Sequence, residues 1–420
     1  MTAKSYDEII ISLLIFTLPI SIIIGPSISL INIILINIIL IKIFFEKKFS
    51  YLFNSSTLKI LLIIYIYLIF NTFVSQSYEI SAVRNVGFIR FIGLFILINY
   101  FFYTNNFSLK IFSLWTLVFM IVIIDVYIEY FLGSNIFGWG ATEPHASRVV
   151  SFFKDEPVAG SFLNGFILMI FGYLLVKFRD KKIIAFTFLF LGFMAVFVTG
   201  ERSNTIKLFF GITLMLFFFD FYKFKIKISI LIFIIFSISI VINQSSYLKN
   251  RYIGQFLSNI NSLEKIKVLE KKNIYFKHYR SGIEVFKKNI FFGVGNKNYR
   301  IETCKNLYLN ISYICTTHPH QIYIEFLSEH GLFGTIILIG LIFILMFKIL
   351  KDISISKNYI QIGSLIFAIT VFTPILPSGS FFNDFNATIF WINLSIMFAC
   401  SRNSNIFQIL LKNKNEKKFY

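Results

Sequence analysis

The chain has 420 residues, 56% of them hydrophobic and 19% aromatic, with a formal net charge of +19 and a mean hydropathy of +0.75. Such an apolar composition excludes an ordinary soluble protein. The charge, which in a soluble chain would point to nucleic acid, sits mostly as lysine in short connections between apolar runs, where positive charge sets membrane orientation. Those runs are roughly 17 to 25 residues long, enough for an α-helix to cross a bilayer core, and they lack the alternation of membrane β-strands.

In chain order, spans are expected near residues 8–24, 27–45, 57–73, 87–103, 108–131, 157–177, 182–199, 204–221, 226–243, 321–348, 358–376 and 385–401. The first run lacks a cleavage site and flows into further spans, so no signal peptide is expected. The reading is an all-α polytopic membrane protein of about twelve transmembrane helices, which puts both termini on one side. Residues 1–243 would hold nine spans, 244–320 a long periplasmic loop, 321–401 three more spans and 402–420 a cytoplasmic tail.

The positive-inside rule supports this alternation. With a cytoplasmic N-terminus, the inner connections hold Lys47, Lys48 and Lys59; Lys110; Lys177, Arg179, Lys181 and Lys182; Lys223, Lys225 and Lys227; and Lys348, Lys351 and Lys357. The tail adds Lys412, Lys414, Lys417 and Lys418, while short outer connections such as Gly25–Pro26 and Pro377–Asp384 carry no basic residue. Within the long loop, which is exempt from that rule, Tyr275, Tyr279, Ile283, Phe286 and Ile290 recur near helical spacing. They suggest an amphipathic helix at the outer membrane surface. No internal repeat supports a transporter built from repeated halves.

Arginine departs from the lysine pattern. Seven of the nine arginines fall on the outer side: Arg84, Arg90, Arg148, Arg202, Arg251, Arg280 and Arg300. A guanidinium is a planar five-donor fork suited to phosphate, and it stays charged at any relevant pH. Each alone could snorkel to headgroups or pair with an acid such as Glu201 or Asp155. Together on one face they point to a pyrophosphate site. Arg90 and Arg202 sit at span ends, where charge is costly and often functional.

The second signal is Thr317-His318-Pro319-His320-Gln321, followed by Glu325 and by Glu329-His330-Gly331. Pro319 suits a first helical turn, which places His320 at the outer N-terminus of the tenth span. The positive helix end there would keep the ring neutral, as a general base must be. The blander reading is a helix cap or a headgroup contact, and His318 with His320 make a weak metal site because no third ligand is near.

No D-x-D pair is present on the outer side to hold a cation for a metal-dependent sugar transferase. Asp155-Glu156 are adjacent carboxylates that more often pair with arginine. Asp125 and Glu129, one turn apart in the fifth span, read as a buried hydrogen-bonded pair. Cys304 and Cys315 could close a disulfide in an oxidising periplasm, or remain two buried thiols; Cys400 reads as a small apolar filler. Gly293-x-Gly295 is too short for a phosphate loop and reads as a turn.

In order along the second half run Arg148 to Gly160 (RVVSFFKDEPVAG), Gly200-Glu201-Arg202-Ser203-Asn204, Tyr279-Arg280-Ser281-Gly282 and Phe292-Gly293-Val294-Gly295. His318-Pro319-His320-Gln321, Glu329-His330-Gly331 and Pro377-Ser378-Gly379-Ser380-Phe381-Phe382 follow. This series resembles the O-antigen ligases and polymerases of bacterial envelopes. The first hundred residues match only as spans, with Arg90 in a plausible place, and Gln321 stands where the family usually has asparagine.

The resemblance implies transfer of a glycan from an undecaprenyl-pyrophosphate carrier to a sugar hydroxyl, such as a lipid A-core acceptor, outside the inner membrane and without metal or other cofactor. By position, Arg202 and Arg280 would hold the pyrophosphate with Arg90, Arg148 and Arg84 assisting, and His320 would take the acceptor proton, with His318 and Glu329 beside it. A ligase is expected, a polymerase is the alternative on the same chemistry, and a lipid-linked oligosaccharide flippase would need charges through to both faces. Nucleic acid is not an expected partner.

Overall fold

A computed structural model describes residues 3–47, 49–104, 109–140, 143, 147–154, 156–218, 223–255, 273–305 and 312–407. Asp155, Lys48 and the tail lysines fall outside these residues. Every regular element among them is a helix. The chain divides into two compact units, residues 1–32, 104–261 and 353–371 in the first, and 33–103, 262–352 and 372–420 in the second.

The first unit holds α1 (Ala3–Phe16) and α2 (Leu18–Ile24), then α7 (Lys110–Leu132), α8 (Ala159–Lys177), α9 (Lys182–Val198), α10 (Arg202–Phe218), α11 (Phe224–Gln244), α12 (Ser246–Lys249) and α16 (Tyr359–Val371). The α1–α2 pair bends by 44° beside Pro19, which cannot donate to the turn before it. At the centre, α8 is almost wholly buried, and α16 lies directly on it. Gly172 and Gly363 allow this: a Cβ on either would come within 2.2 Å of a backbone oxygen of the facing helix, Tyr359 O or Leu168 O. Small residues that let backbones touch are how helices pack where no hydrophobic force drives them together.

The second unit holds most of α3 (Pro26–Lys47), α4 (Ser56–Phe73), α5 (Tyr78–Gly87), α6 (Ile89–Thr104), α13 (Ile274–Lys288), α14 (Tyr299–Lys305), α15 (Ile322–Ser356, to residue 352) and α17 (Asp384–Ala399). α15 is interrupted at Gly331, whose φ of 65° and ψ of −170° are non-helical. Residues 290–295 run alongside this break. Val294 N and Gly295 N donate to Ser328 O and Glu329 O, and Leu332 N and Phe333 N donate back to Ile290 O and Phe291 O, at 2.7–3.2 Å. A Cβ on Gly293 or Gly331 would lie 2.4 Å from the opposing backbone, and both have positive φ. The two glycine motifs are one interlock. Asn71, Asn85, Asn296 and Asn298 tie the following residues to α4 and α5 through side-chain hydrogen bonds.

Each of the twelve expected spans coincides with a helix. Among the described residues seven helices are long and apolar enough to cross a membrane, with the bent α1–α2 pair an eighth, while α9 and α16 are apolar but shorter. The chain is therefore a multi-pass membrane protein. α13 covers most of the amphipathic stripe read from sequence, with Ile290 just beyond its end. Its face of His278, Ser281, Gly282 and Val285 is buried, Ile283 is exposed, and Lys277, Arg280 and Lys287 occupy an exposed charged sector.

Candidate functional site

In the second unit one loop, Phe372 to Asn383, gathers the chemistry. Gln321 Oε1 accepts from Ile324 N at 2.9 Å and so starts α15, which leaves His320 just outside it in a left-handed conformation, φ 56°. A non-glycine residue held there costs free energy, and such positions cluster at functional sites. The His320 ring lies 4.1 Å from that of His318 and 4.6 Å from that of His278, centroid to centroid. The loop fixes the pair from the other side. Ser378 N donates to His320 O at 2.9 Å, and His318 Nε2 lies 3.3 Å from Ser378 O. That carbonyl can only accept, so His318 carries its proton on Nε2, and Nδ1 accepts from Thr317 Oγ1 at 2.9 Å.

The imidazoles are neutral bases. Burial, then the neighbouring His318 and His278, push His320 down to about 4. Burial and the Lys297 ammonium do the same to His318, also about 4, against the raising effect of Ser378 O. His278 is lowered by burial as well. The helix-end dipole invoked from sequence is thus joined by a stronger cause, desolvation plus mutual repulsion.

The same loop engages charge. Glu325 accepts from Ser380 Oγ at 2.5 Å and from Phe381 N at 3.0 Å, while Lys297 Nζ donates to the same Ser380 hydroxyl. Just beyond the loop, Asp384 is clasped by Arg84 Nη1 and Arg90 Nη2, each at 2.6 Å. Two guanidiniums on one carboxylate leave a net positive charge. Glu329 is fully buried, with the backbone amides of Lys297 and Tyr299 and the Lys297 charge acting on its carboxylate. His330, also fully buried, packs among Tyr67, Phe326 and Phe382. Cys304 and Cys315 are joined in a disulfide, next to Ile314, whose N–H donates to Ser281 Oγ on α13 at 3.1 Å.

In the first unit, Arg202 opens α10 and its Nη1 donates to Arg251 O at 3.2 Å, while Arg251 Nε donates to Gly200 O at 3.1 Å. Between them in sequence, Glu201 caps α8 by accepting from Gly160 N at 2.6 Å and Ser161 N at 3.1 Å. Burial pushes its carboxyl up to about 7, opposed by the Gly160 amide, Asn204, the Arg148 charge and the Ser161 amide. Arg148 is half-buried. Asp125 and Glu129 are indeed buried and hydrogen-bonded, and what they hold are residues 136 and 150–151: Ile136 N and Ser151 Oγ on Asp125, Val150 N and Ser151 N on Glu129.

Residues 186–339 match the protein family described as O-antigen ligase. Over those residues the chain is similar to that family. A search of curated proteins finds no significant match. The O-antigen ligase match takes in Arg202, Arg280, His318, His320, Glu329 and both bridged cysteines. Arg84, Arg90, Arg148 and the 377–384 loop lie outside it. Of the residues singled out from sequence, the second unit brings His318 and His320 together on one loop and Arg84 with Arg90 on one acid. It puts Arg280 on the exposed sector of α13, two residues from the buried His278. Arg202 and Arg148 belong to the first unit. Among the described residues no three His, Cys, Asp or Glu side chains gather around a point fit for a metal ion.

Sequence reading missed His278, Lys297, Ser380 and Asp384. Lys297 hides among the many lysines of residues 244–320, and Asp384 was noted only as part of an uncharged-to-acidic outer connection. The available signal for Ser380 was its place in a motif of the O-antigen ligase resemblance to which no role had been attached.

Proposed function

We propose that this protein transfers a glycan from an undecaprenyl-pyrophosphate carrier to a sugar hydroxyl of a lipid A-core acceptor, at the periplasmic face of the bacterial inner membrane. In this reading the chain crosses the membrane about twelve times with both termini cytoplasmic, and the loop at 244–320 is periplasmic. The reaction needs no metal or cofactor. His320 accepts the proton of the acceptor hydroxyl as its oxygen bonds to the anomeric carbon. The anomeric C–O bond breaks, and its electron pair leaves with the carrier pyrophosphate. Arg280 holds that pyrophosphate, with Arg84 and Arg90 adding positive potential and His318 positioning the base. Fixed cations at a leaving diphosphate act on charge that grows in the transition state.

The observation that carries the reading is the imidazole pair. His320 sits neutral at a strained backbone position, 4.1 Å from His318 by ring centroids, and among the described residues no carboxylate is hydrogen-bonded to it to hold a proton. That is the arrangement of a base rather than of a cap. Deletion of the gene tests the reading: long polymer accumulating unattached on the carrier indicates the ligase, and attachment of single repeat units indicates the alternative polymerase. Normal surface glycan in the deletion strain would refute both.

A further inference from the structure

Resting on that reading, we infer that Lys297 is a binding residue for the donor pyrophosphate, the ammonium that meets the phosphate oxygens beside the imidazole pair. Three observations on Lys297 point there. Its backbone is left-handed, φ 64°, in a tight turn following Gly295, a position where glycine or asparagine would fit without strain and a lysine is strained. The side chain, half-buried, is turned onto Ser380 of the loop that holds His318 and His320. Its hydrogen bond goes to a hydroxyl, so of the three N–H donors of an ammonium others remain for a ligand. Finally, its charge reaches His318, Glu325 and Glu329, which places it at the centre of the loop cluster.

A purely structural residue at this turn would be better served by the smaller side chains. A cation here balances the buried Glu325 and Glu329 carboxylates and also attracts an anion, and the anion the reaction brings is the diphosphate. As the anomeric C–O bond breaks, negative charge grows on the bridging phosphate oxygen, and a compact ammonium beside it stabilises that charge. Arg84 and Arg90 already share Asp384, whereas Lys297 Nζ reaches the Glu325 carboxylate only through the Ser380 hydroxyl. After burial, the same charge also disfavours protonation of His318.

The experiment measures binding of undecaprenyl pyrophosphate, with undecaprenol as the uncharged probe, to the full-length purified chain and its variants Lys297→Arg, Lys297→Gly and Lys297→Asn. Wild type is expected to prefer the pyrophosphate. Lys297→Arg should stay within a few-fold of it, and Lys297→Gly and Lys297→Asn should each lose about tenfold or more of pyrophosphate binding while melting no lower than wild type and binding undecaprenol unchanged. A structural lysine predicts the reverse order, with arginine the worst replacement and glycine or asparagine harmless, and that order overturns the inference. Should wild type prefer the pyrophosphate and Lys297→Gly match it, the inference fails alone. Should wild type show no preference for the pyrophosphate over undecaprenol, the proposed donor fails and takes Lys297 with it.

Discussion

The two units use their buried charge in opposite ways. In the first, the acids Asp125, Glu129 and Glu201 are occupied by backbone amides and local hydroxyl or amide groups, and Arg202 and Arg251 donate to carbonyls. Charge there fastens loops to helix ends. In the second, Asp384 is shared by two arginines, Lys297 leans on a hydroxyl, and the His320 ring lies tilted against those of His318 and His278. Charge there is left over. Buried polar groups are normally satisfied, and those that are not mark stored strain or chemistry, so the contrast separates what holds the protein together from what acts.

The sharpest way to break that contrast is at His320. His320→Ala should lower glycan transfer about 10²–10⁴-fold while membrane insertion, read by protease protection of the tail, is unchanged. Near-normal transfer would remove the base from the mechanism. Next in size is the interlock at the α15 break. Gly331→Ala adds a Cβ 2.4 Å from the Phe291 backbone at positive φ, and should cost about 3 kcal/mol or more, seen as a lowered melting midpoint. A midpoint within a degree of wild type would mean that the two strands at the break are not bonded as described.

Much of this was readable from the residues. All twelve apolar runs became helices because hydropathy over long stretches is a strong, local signal. The Thr317-to-Gln321 string placed the imidazole pair at a helix start because Pro319 and a capping Gln321 act over a few residues. What could not be read is what depends on contacts far apart in sequence. Ser380 meets Lys297 across 83 residues, and Asp384 meets Arg84 and Arg90 across 300 and 294. Arg280 stands in a motif beside the buried His278, and only the orientation of α13 shows that it is the histidine that faces the loop. Gly293-x-Gly295 read as a simple turn, since its partner, Gly331, lies beyond the histidines.

A smaller effect tests the first unit by itself. Glu129→Gln leaves Val150 N or Ser151 N facing an amide that can accept at only one atom, in place of a carboxylate that accepts both. Losing one such bond to a charged group should cost about 1.5–3 kcal/mol, and protease cleavage within residues 133–158 should speed up. If cleavage there is unchanged, the pair does not hold the loop.

The gentlest probe is pH, to which the two units should respond with opposite sign. Glu201 has its folded value raised to about 7 above the ordinary 4.5, so the folded first unit holds a proton that the unfolded chain releases. The resulting stability is complete below about 4.5 and declines as pH rises toward 7. His318 and His320 are depressed to about 4 from the ordinary 6.5, so their contribution is complete above about 6.5 and declines as pH falls toward 4. Hydrogen exchange resolved by segment should therefore find the amides around Gly160 and Ser161 better protected at pH 5 than at pH 7, and those around residues 318–325 better protected at pH 7 than at pH 5. Glu201→Gln should flatten the first slope and leave the second, and the acid limb of transfer should fall well below 6.5. Parallel slopes in both units would show that the imidazoles are not held neutral, and with that the distinction between a unit that fastens and a unit that reacts would be lost.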